Sequence, residues 1–385
     1  MLKEETGTLI CYMLLIALNT LNFITHIPPN FQVLIQTPII VYIGSTHSLR
    51  LYSKHVDAKK EGIETMSQKD ALLFPVIGSA TLGGLFLAFT YFDKDMINIV
   101  FHYYFSFIGV VVIASFFYNR FSVVLKNMAE KIVFTIPTIP YVLDSTPVDL
   151  LFLILFALSS IIGYAYFLTK HYYLNNMLGI FFSIVGIENV MMGATKVGFL
   201  LLSLLFFYDI YWVFFTPVMV TVAKNLEGPI KLMFPKRFDW NEQKDFNMIG
   251  LGDIVIPGVF VALMLRYDYL RNLEKARKSE NKPELDESGN EIVQFSTKKF
   301  STFIWTFMGY FLGIFATLFI MNVFKHAQPA LLYLVPGVLI GSSLSAFFRG
   351  DFSNFFNFQE TEELEKLGLK EPEIKEEDKK EGKTN

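Results

Sequence analysis

Residues 201–220 read LLSLLFFYDIYWVFFTPVMV and residues 248–265 read MIGLGDIVIPGVFVALML. Both stretches are apolar enough to lie in hydrocarbon, and each carries one carboxylate, Asp209 in the first and Asp253 in the second. An aspartate at bilayer depth costs about 2.5 to 3.5 kcal/mol on insertion scales, so such residues face a bundle interior and mark function. At 1.5 Å per residue Asp209 lies roughly 18 Å into its helix, far from the headgroups. Around it, Phe206, Phe207, Tyr208, Tyr211, Trp212, Phe214 and Phe215 form an aromatic setting.

The rest of the chain fits the same solvent. Of 385 residues 52% are hydrophobic, 41 are Phe and only 18% are charged, a balance that a soluble domain could not hide from water. Apolar stretches long enough to cross about 30 Å recur at 31–50, 72–92, 96–118, 148–168, 174–194, 197–223, 247–265, 300–321 and 329–348. They are continuously apolar, without the alternation of barrel strands, and a spanning segment must satisfy its backbone hydrogen bonds internally. The fold class expected is therefore an all-α polytopic membrane protein of about nine transmembrane helices. A tenth apolar stretch, 8–25, is short and broken by Asn19 and Asn22, and reads equally as a signal sequence or an extra helix. The organisation expected is an N-terminal apolar segment (1–30), transmembrane helices 1–5 (31–194), helices 6–9 (195–350) with a polar loop at 266–299, and a disordered, charged cytosolic tail (351–385).

With nine spans and the first N-terminus outside, 24 of the 33 Lys and Arg residues fall on the cytosolic side, which predicts a luminal N-terminus and a cytosolic C-terminus. The segment 224–247, with Lys224, Lys231, Lys236, Arg237 and Lys244, departs locally from that bias. Net charge is −3 without a basic, aromatic-interleaved patch, so no nucleic-acid partner is expected. A single cysteine, Cys11, excludes an intrachain disulfide framework.

Two carboxylates that approach closely cannot both ionise and so share one proton, one acting as base and the other as acid. The ionised member can take a proton from a water attacking a peptide carbonyl while the other donates to the carbonyl oxygen, with no metal, cofactor or covalent intermediate required. Asp253 follows Gly250-Leu251-Gly252, where small residues allow close backbone approach and an irregular helix start, tolerated at depth where the chain lines a cavity. Other chemistries fit less well. The six histidines are scattered, without a zinc-protease spacing, and there is no Gly-x-Ser-x-Gly elbow. A transporter or channel using the aspartates as a proton or cation site is the alternative from another class; it would be favoured by an inverted repeat, and none is visible.

A third constellation, Gln328-Pro329-Ala330-Leu331, opens the last stretch, where a proline suits the first turn of a helix; Pro336 follows inside it and predicts a kink. Ordinary helix initiation accounts for the tetrapeptide taken alone. Glu188 reads as a packing or interfacial polar group, and His326 as an interfacial histidine.

Taken together, Tyr208-Asp209, Gly250-Leu251-Gly252-Asp253 and Gln328-Pro329-Ala330-Leu331, in that order on three late stretches, resemble the presenilin-type intramembrane aspartyl proteases. The longer strings NVMMGATKVGFLLLSLLFFYDIYWVFF (189–215), VMVTVAKNLEGPIKLMFP (218–235), GLGDIVIPG (250–258) and FKHAQPALLYLVP (324–336) are similar to the signal peptide peptidase branch of that family, over about residues 67–350. The resemblance implies nine transmembrane helices, Asp209 and Asp253 as the catalytic pair, and Pro329, Ala330 and Leu331 shaping the site or holding substrate. Tyr208, Gly250, Leu251, Gly252 and Gln328 belong to the same motifs. It further implies an endoplasmic reticulum membrane, the orientation given above, and substrates that are type II spans such as signal-peptide remnants. The bilayer, a second copy of the chain and membrane-protein quality-control components complete the partners considered.

Overall fold

The computed structural model describes residues 2–25, 27–57, 65–122, 125, 131–136, 146–236, 245–278, 301–324 and 328–367. The chain runs α1 (Leu2–Ile24), α2 (Pro29–Asp57), α3 (Gln68–Tyr91), α4 (Lys94–Phe121), strands β1 (Ile132–Ile136) and β2 (Thr146–Asp149), α5 (Leu150–Thr169), α6 (Tyr172–Asn189), α7 (Thr195–Phe214) and a short α8 (Val218–Asn225). Strands β3 (Lys231–Pro235) and β4 (Phe246–Gly250) lead into α9 (Leu251–Lys278), followed by α10 (Thr302–Phe324), α11 (Leu331–Phe348), α12 (Phe352–Phe356) and α13 (Glu360–Lys366). β1 pairs with β2, and β3 with β4, each antiparallel. A helix occupies each of the nine apolar stretches. Six of them, α3, α4, α5, α7, α10 and α11, are long and apolar enough to cross a membrane. Their outer faces carry Ile77, Phe107, Ile161, Phe207, Phe319 and Phe347, each more than half exposed, as expected of surfaces that meet lipid.

Helix starts follow local chemistry. Ser67 and Asp70 form a reciprocal capping box on α3, and Asp93 caps α4. Asp149 accepts from the Phe152 N–H at 2.7 Å, fixing the start of α5. At the centre lies α9. Its residues 257–268 are all buried: 257–265 are apolar on every face, and the charges of Arg266 and Asp268 that follow are paired with Glu360 and Arg349. Small residues let its neighbours approach: a methyl added at Gly44 (α2) or at Gly258 (α9) would meet Ile187 of α6 at 2.7 or 2.6 Å.

Four expectations change. The stretch 197–223 is not one helix: α7 ends at Phe214, and α8 begins at Val218 beyond Pro217, whose missing donor and fixed φ interrupt the ladder. The stretch 247–265 begins as strand, and helix starts only at Leu251. The polar loop placed at 266–299 is helical as far as Lys278, and Arg266 is the largest fully buried side chain among the described residues; residues 279–300 lie outside the described residues. The charged tail placed at 351–385 is folded over 352–367, where Phe355, Phe358 and Leu364 give it an apolar face to bury; residues 368–385, like His326, lie outside the described residues. Stretch 8–25 is helical within α1 and packs on α2, where the Tyr12 hydroxyl lies 3.2 Å from His47 Nε2 and Gln32 donates to Asn22 at 2.9 Å. Helix α11 continues unbroken through Pro336.

Candidate active site

Asp209 stands in the last third of α7 with 3% of its surface exposed. A carboxylate so placed needs a donor, and α11 supplies one. After Pro329 the chain turns at once into helix: Leu332 N–H bonds to the Pro329 carbonyl at 3.3 Å, and Tyr333 and Leu334 both reach the Ala330 carbonyl at 3.1 Å. The Leu331 N–H belongs to the first turn, which has no intrahelical acceptor to offer. It donates instead to Asp209 Oδ2 at 3.1 Å. The positive end of the α11 dipole therefore points at this carboxylate.

Asp253 is delivered by a strand-to-helix junction. Lys231 faces Gly250 at the end of the β3–β4 ladder, the Leu251 N–H closes on the Ile230 carbonyl at 2.9 Å, and α9 begins. Asp253, in the first turn, is only partly buried, beside an exposed Gly252. A side chain at Gly250 would put a Cβ 3.3 Å from Asp253 Oδ2, so glycine leaves the carboxylate room to turn. Asp209 and Asp253 lie within direct electrostatic reach of one another. Close packing of α7 on α9 brings them there: a methyl at Gly198 would meet the Phe260 ring at 2.6 Å.

Other motif residues divide into those at the pair and those behind it. Pro329 and Leu331 are buried at the α11 start, with Ala330 between them, whereas Gln328 is partly exposed at its mouth. Tyr208 is turned toward α3, its hydroxyl 3.4 Å from where a Gly78 Cβ would stand, and its ring lies 6.1 Å from Trp212. Leu251 packs toward Gly179 of α6 and serves the site through its backbone. One residue was missed by the sequence reading: Tyr310 of α10, fully buried, lies within electrostatic reach of Asp253. A signal existed in Gly309-Tyr-Phe-Leu-Gly313, a small-residue spacing that brings two helices into backbone contact.

Among the described residues neither aspartate forms an ion pair. The buried Arg266 and the partly buried Arg120 have acids of their own. Arg120 bonds Glu188 at 3.2 Å and also contacts His47, and Arg266 bonds Glu360 at 2.6 Å. Glu188, expected as a packing or interfacial polar group, is the acid of the Arg120 ion pair. Lys196 lies 5.7 Å over the Phe356 ring, well away from Asp209. Among the described residues no cluster of His, Cys, Asp and Glu could hold a metal ion. The arrangement is a pair of carboxylates, one sealed and one partly open, with a helix start aimed at the sealed one.

A family model described as signal peptide peptidase matches residues 58–362. The chain belongs to the signal peptide peptidase family. Its relatives include a signal peptide peptidase of Mus musculus, 35% identical over 86% of this chain and 82% of that protein. A signal peptide peptidase of Homo sapiens is 37% identical over 77% of this chain and 75% of its own length. An intramembrane protease 2 of Caenorhabditis elegans is 42% identical over 52% of this chain and 41% of its own. Members of this family are membrane-embedded proteases acting on transmembrane substrates, and this chain is an intramembrane aspartyl protease, a multi-pass hydrolase; the transporter alternative finds no support among these relatives. The family match runs beyond residue 350, where the sequence resemblance was taken to end, and takes in α12 and Glu360.

Proposed function

We propose that Asp209 and Asp253 are the catalytic dyad of this protease, and that it cleaves type II transmembrane segments such as signal-peptide remnants. The observation that carries the assignment is the Leu331 N–H donated to Asp209 at 3.1 Å while Asp253 lies within electrostatic reach of the same carboxylate. The pair holds one proton between its members. The ionised carboxylate takes a proton from water as the oxygen attacks the peptide carbonyl carbon; the protonated one donates to the carbonyl oxygen, giving a gem-diol, and a proton then passes to the amine as the C–N bond breaks. Because the two apparent pKa values belong to the pair, neither residue is fixed as acid or base. Pro329 and Ala330 shape the α11 start, and Gly250 and Gly252 keep the neighbourhood of Asp253 open.

A helical substrate hides its carbonyl carbons inside the hydrogen-bonded coil, so it must unwind before water can attack, and helix-weakening residues lower that cost. The freed backbone then needs partners, which strand addition supplies. Asn176 occupies the outer edge of β3, accepting from the Met233 N–H at 2.7 Å and donating to its carbonyl at 2.7 Å, while Asn175 donates to the Lys231 carbonyl at 2.9 Å. Met233 pairs with Met248, so in an antiparallel ladder the Met248 backbone groups face the opposite edge, two residues before Gly250 and five before Asp253. We place the unwound substrate along that edge of β4, near Pro329. N-methylation of a substrate amide beside the scissile bond should then slow cleavage, and indifference to it would remove this step.

The bias of Lys and Arg supports nine crossings counted from α2, a luminal N-terminus and a cytosolic C-terminus, and the family supports the endoplasmic reticulum membrane. The deciding experiment incubates detergent-solubilised protein with a labelled signal-peptide substrate and compares Asp209→Ala and Asp253→Ala. Cleavage that persists in both variants would end the assignment.

A further inference from the structure

The segment after α11 joins the two aspartate-bearing helices well away from their carboxylates, at the start of α7 and at the middle of α9. Thr195, the first residue of α7, donates its N–H to the Phe358 carbonyl at 3.2 Å, and Glu360 donates its own to the Gly193 carbonyl at 2.8 Å. On the α9 side, Arg266 Nε bonds Glu360 Oε1 at 2.6 Å, with 0% and 1% of the two residues exposed. The same guanidinium reaches Ser48 Oγ of α2 at 2.7 Å and the Met192 carbonyl at 3.3 Å. Phe355 fills the space between, its ring 6.1 Å from Phe199 of α7 and 5.7 Å from Tyr267 of α9, and Phe358 stands edge-on to Tyr267 at 4.9 Å. Arg271 of α9 pairs with Asp351 at the start of the segment.

Asp209 lies roughly 21 Å along α7 from Thr195, and Asp253 roughly 20 Å along α9 from Arg266, at 1.5 Å per residue. Between these levels the helices touch at Gly198 and Phe260. That contact makes a pivot, with Phe355 packed beside it on Phe199: a change of spacing at the Thr195 and Arg266 attachments beyond it becomes a change of spacing, or of relative height, between the carboxylates. A buried ion pair is weak evidence for stability, since apolar residues of similar volume often do as well. Fixing a single arrangement of two elements is the better-attested use of such a pair.

We propose that residues 351–367 are a clamp that sets the separation of Asp209 and Asp253, with Arg266 and Glu360 as positioning residues. This rests on the dyad assignment made above. The clamp touches neither substrate nor reacting atoms, and acts only through α7 and α9.

The test uses the full chain in detergent: wild type, Glu360→Gln, Glu360→Asp and Phe355→Leu. A hydroxyl-bearing transition-state mimic, which must fit between both carboxyls, is titrated against each to give the number of competent sites and the Kd per site, alongside kcat per site and KM. In Glu360→Gln the clamp predicts mimic Kd up and kcat per site down together, by about tenfold, with KM within about twofold, because misplacement of reacting groups by a fraction of an ångström has effects of this order. Glu360→Asp, which keeps the charge, should recover part of both. A role in stability alone would lower the count of competent sites and leave Kd and kcat per site at wild-type values, and that result overturns the proposal. Should Glu360→Gln not fold, Phe355→Leu, which thins the wedge without unpairing a charge, is judged by the same criteria. Wild-type protein that ignores the mimic would instead defeat the dyad reading, and the clamp with it.

Discussion

Asp209 Oδ2 and the backbone N–H of Leu331 are 3.1 Å apart, so the start of α11 is tied to a carboxylate 122 residues earlier in the chain. A hydrogen bond to a charged group contributes about 1.5 to 3 kcal/mol, and tenfold in rate corresponds to about 1.4 kcal/mol. Leu331→Pro removes the donor at a first-turn position where proline is otherwise accommodated. Leu331→Ala keeps the donor and loses the same buried side chain. The proline variant should therefore be slower than the alanine variant by about tenfold or more in kcat, at comparable folded yield. Equal rates for the two would mean that this bond does not hold Asp209 for chemistry.

The dyad itself makes a sharper demand. A pair sharing one proton needs one member charged and one neutral, so kcat in proteoliposomes should rise and fall with pH as a bell. Asp209→Asn and Asp253→Asn each destroy the pair, and each should cost at least about a thousandfold, with no further loss when combined, because residues that act as one unit are not additive. A measurable rate that survives in either variant with a bell intact would contradict the assignment.

Asp209 and Asp253 stood out because hydrocarbon makes every polar residue informative, whereas Leu331 entered only through the motif resemblance. What stayed illegible was long-range or conformational. Arg266 looked like the end of a span, since a local window registers the charge and cannot see Glu360, 94 residues away, that permits its burial. Residues 247–250 fall in a stretch whose apolar composition predicts helix, although their partners on β3 make them strand. Phe355 and Phe358 were lost among the charges that follow them. Tyr208 sits next to Asp209 in sequence, yet successive helical positions point about 100° apart, and it packs against α3.

Glu188 and Arg120 offer a contrast between stability and catalysis. Their 3.2 Å bond is buried, with 7% and 20% of the respective side chains exposed. Glu188→Ala leaves the guanidinium without its acid, at a cost of about 3 kcal/mol, the low end for a broken buried pair, since the Phe116 carbonyl and ring still contact Arg120. Replacing both, as Arg120→Met with Glu188→Leu, should recover most of the loss, while kcat per folded molecule stays at the wild-type value in each case. Thermal unfolding in detergent, set beside active-site titration, separates the two effects. A fall in kcat per site in Glu188→Ala would place Glu188 in the reaction after all.

Glycines in this bundle fall into two physical classes, and alanine substitution separates them. On α10, a Cβ at Gly309 would strike the Gly337 carbonyl of α11, and one at Gly313 would stand 2.9 Å from the Leu334 Cα. These are backbone atoms that cannot swing aside, so Gly309→Ala must push α10 away from α11, the helix whose first turn donates to Asp209. On α3, a Cβ at Gly84 would meet nothing within 4 Å. There alanine only improves helix propensity, by about 1 kcal/mol at most. Gly84→Ala should therefore match or slightly exceed the wild type in melting temperature, with unchanged kcat. Gly309→Ala should lose about 2 kcal/mol or more, in the range of overpacked cores, and its surviving molecules should cleave more slowly as the α11 start shifts. The decisive reading is kcat per titrated site: if Gly309→Ala lowers only the melting temperature, the Leu331 turn does not depend on the α10–α11 contact.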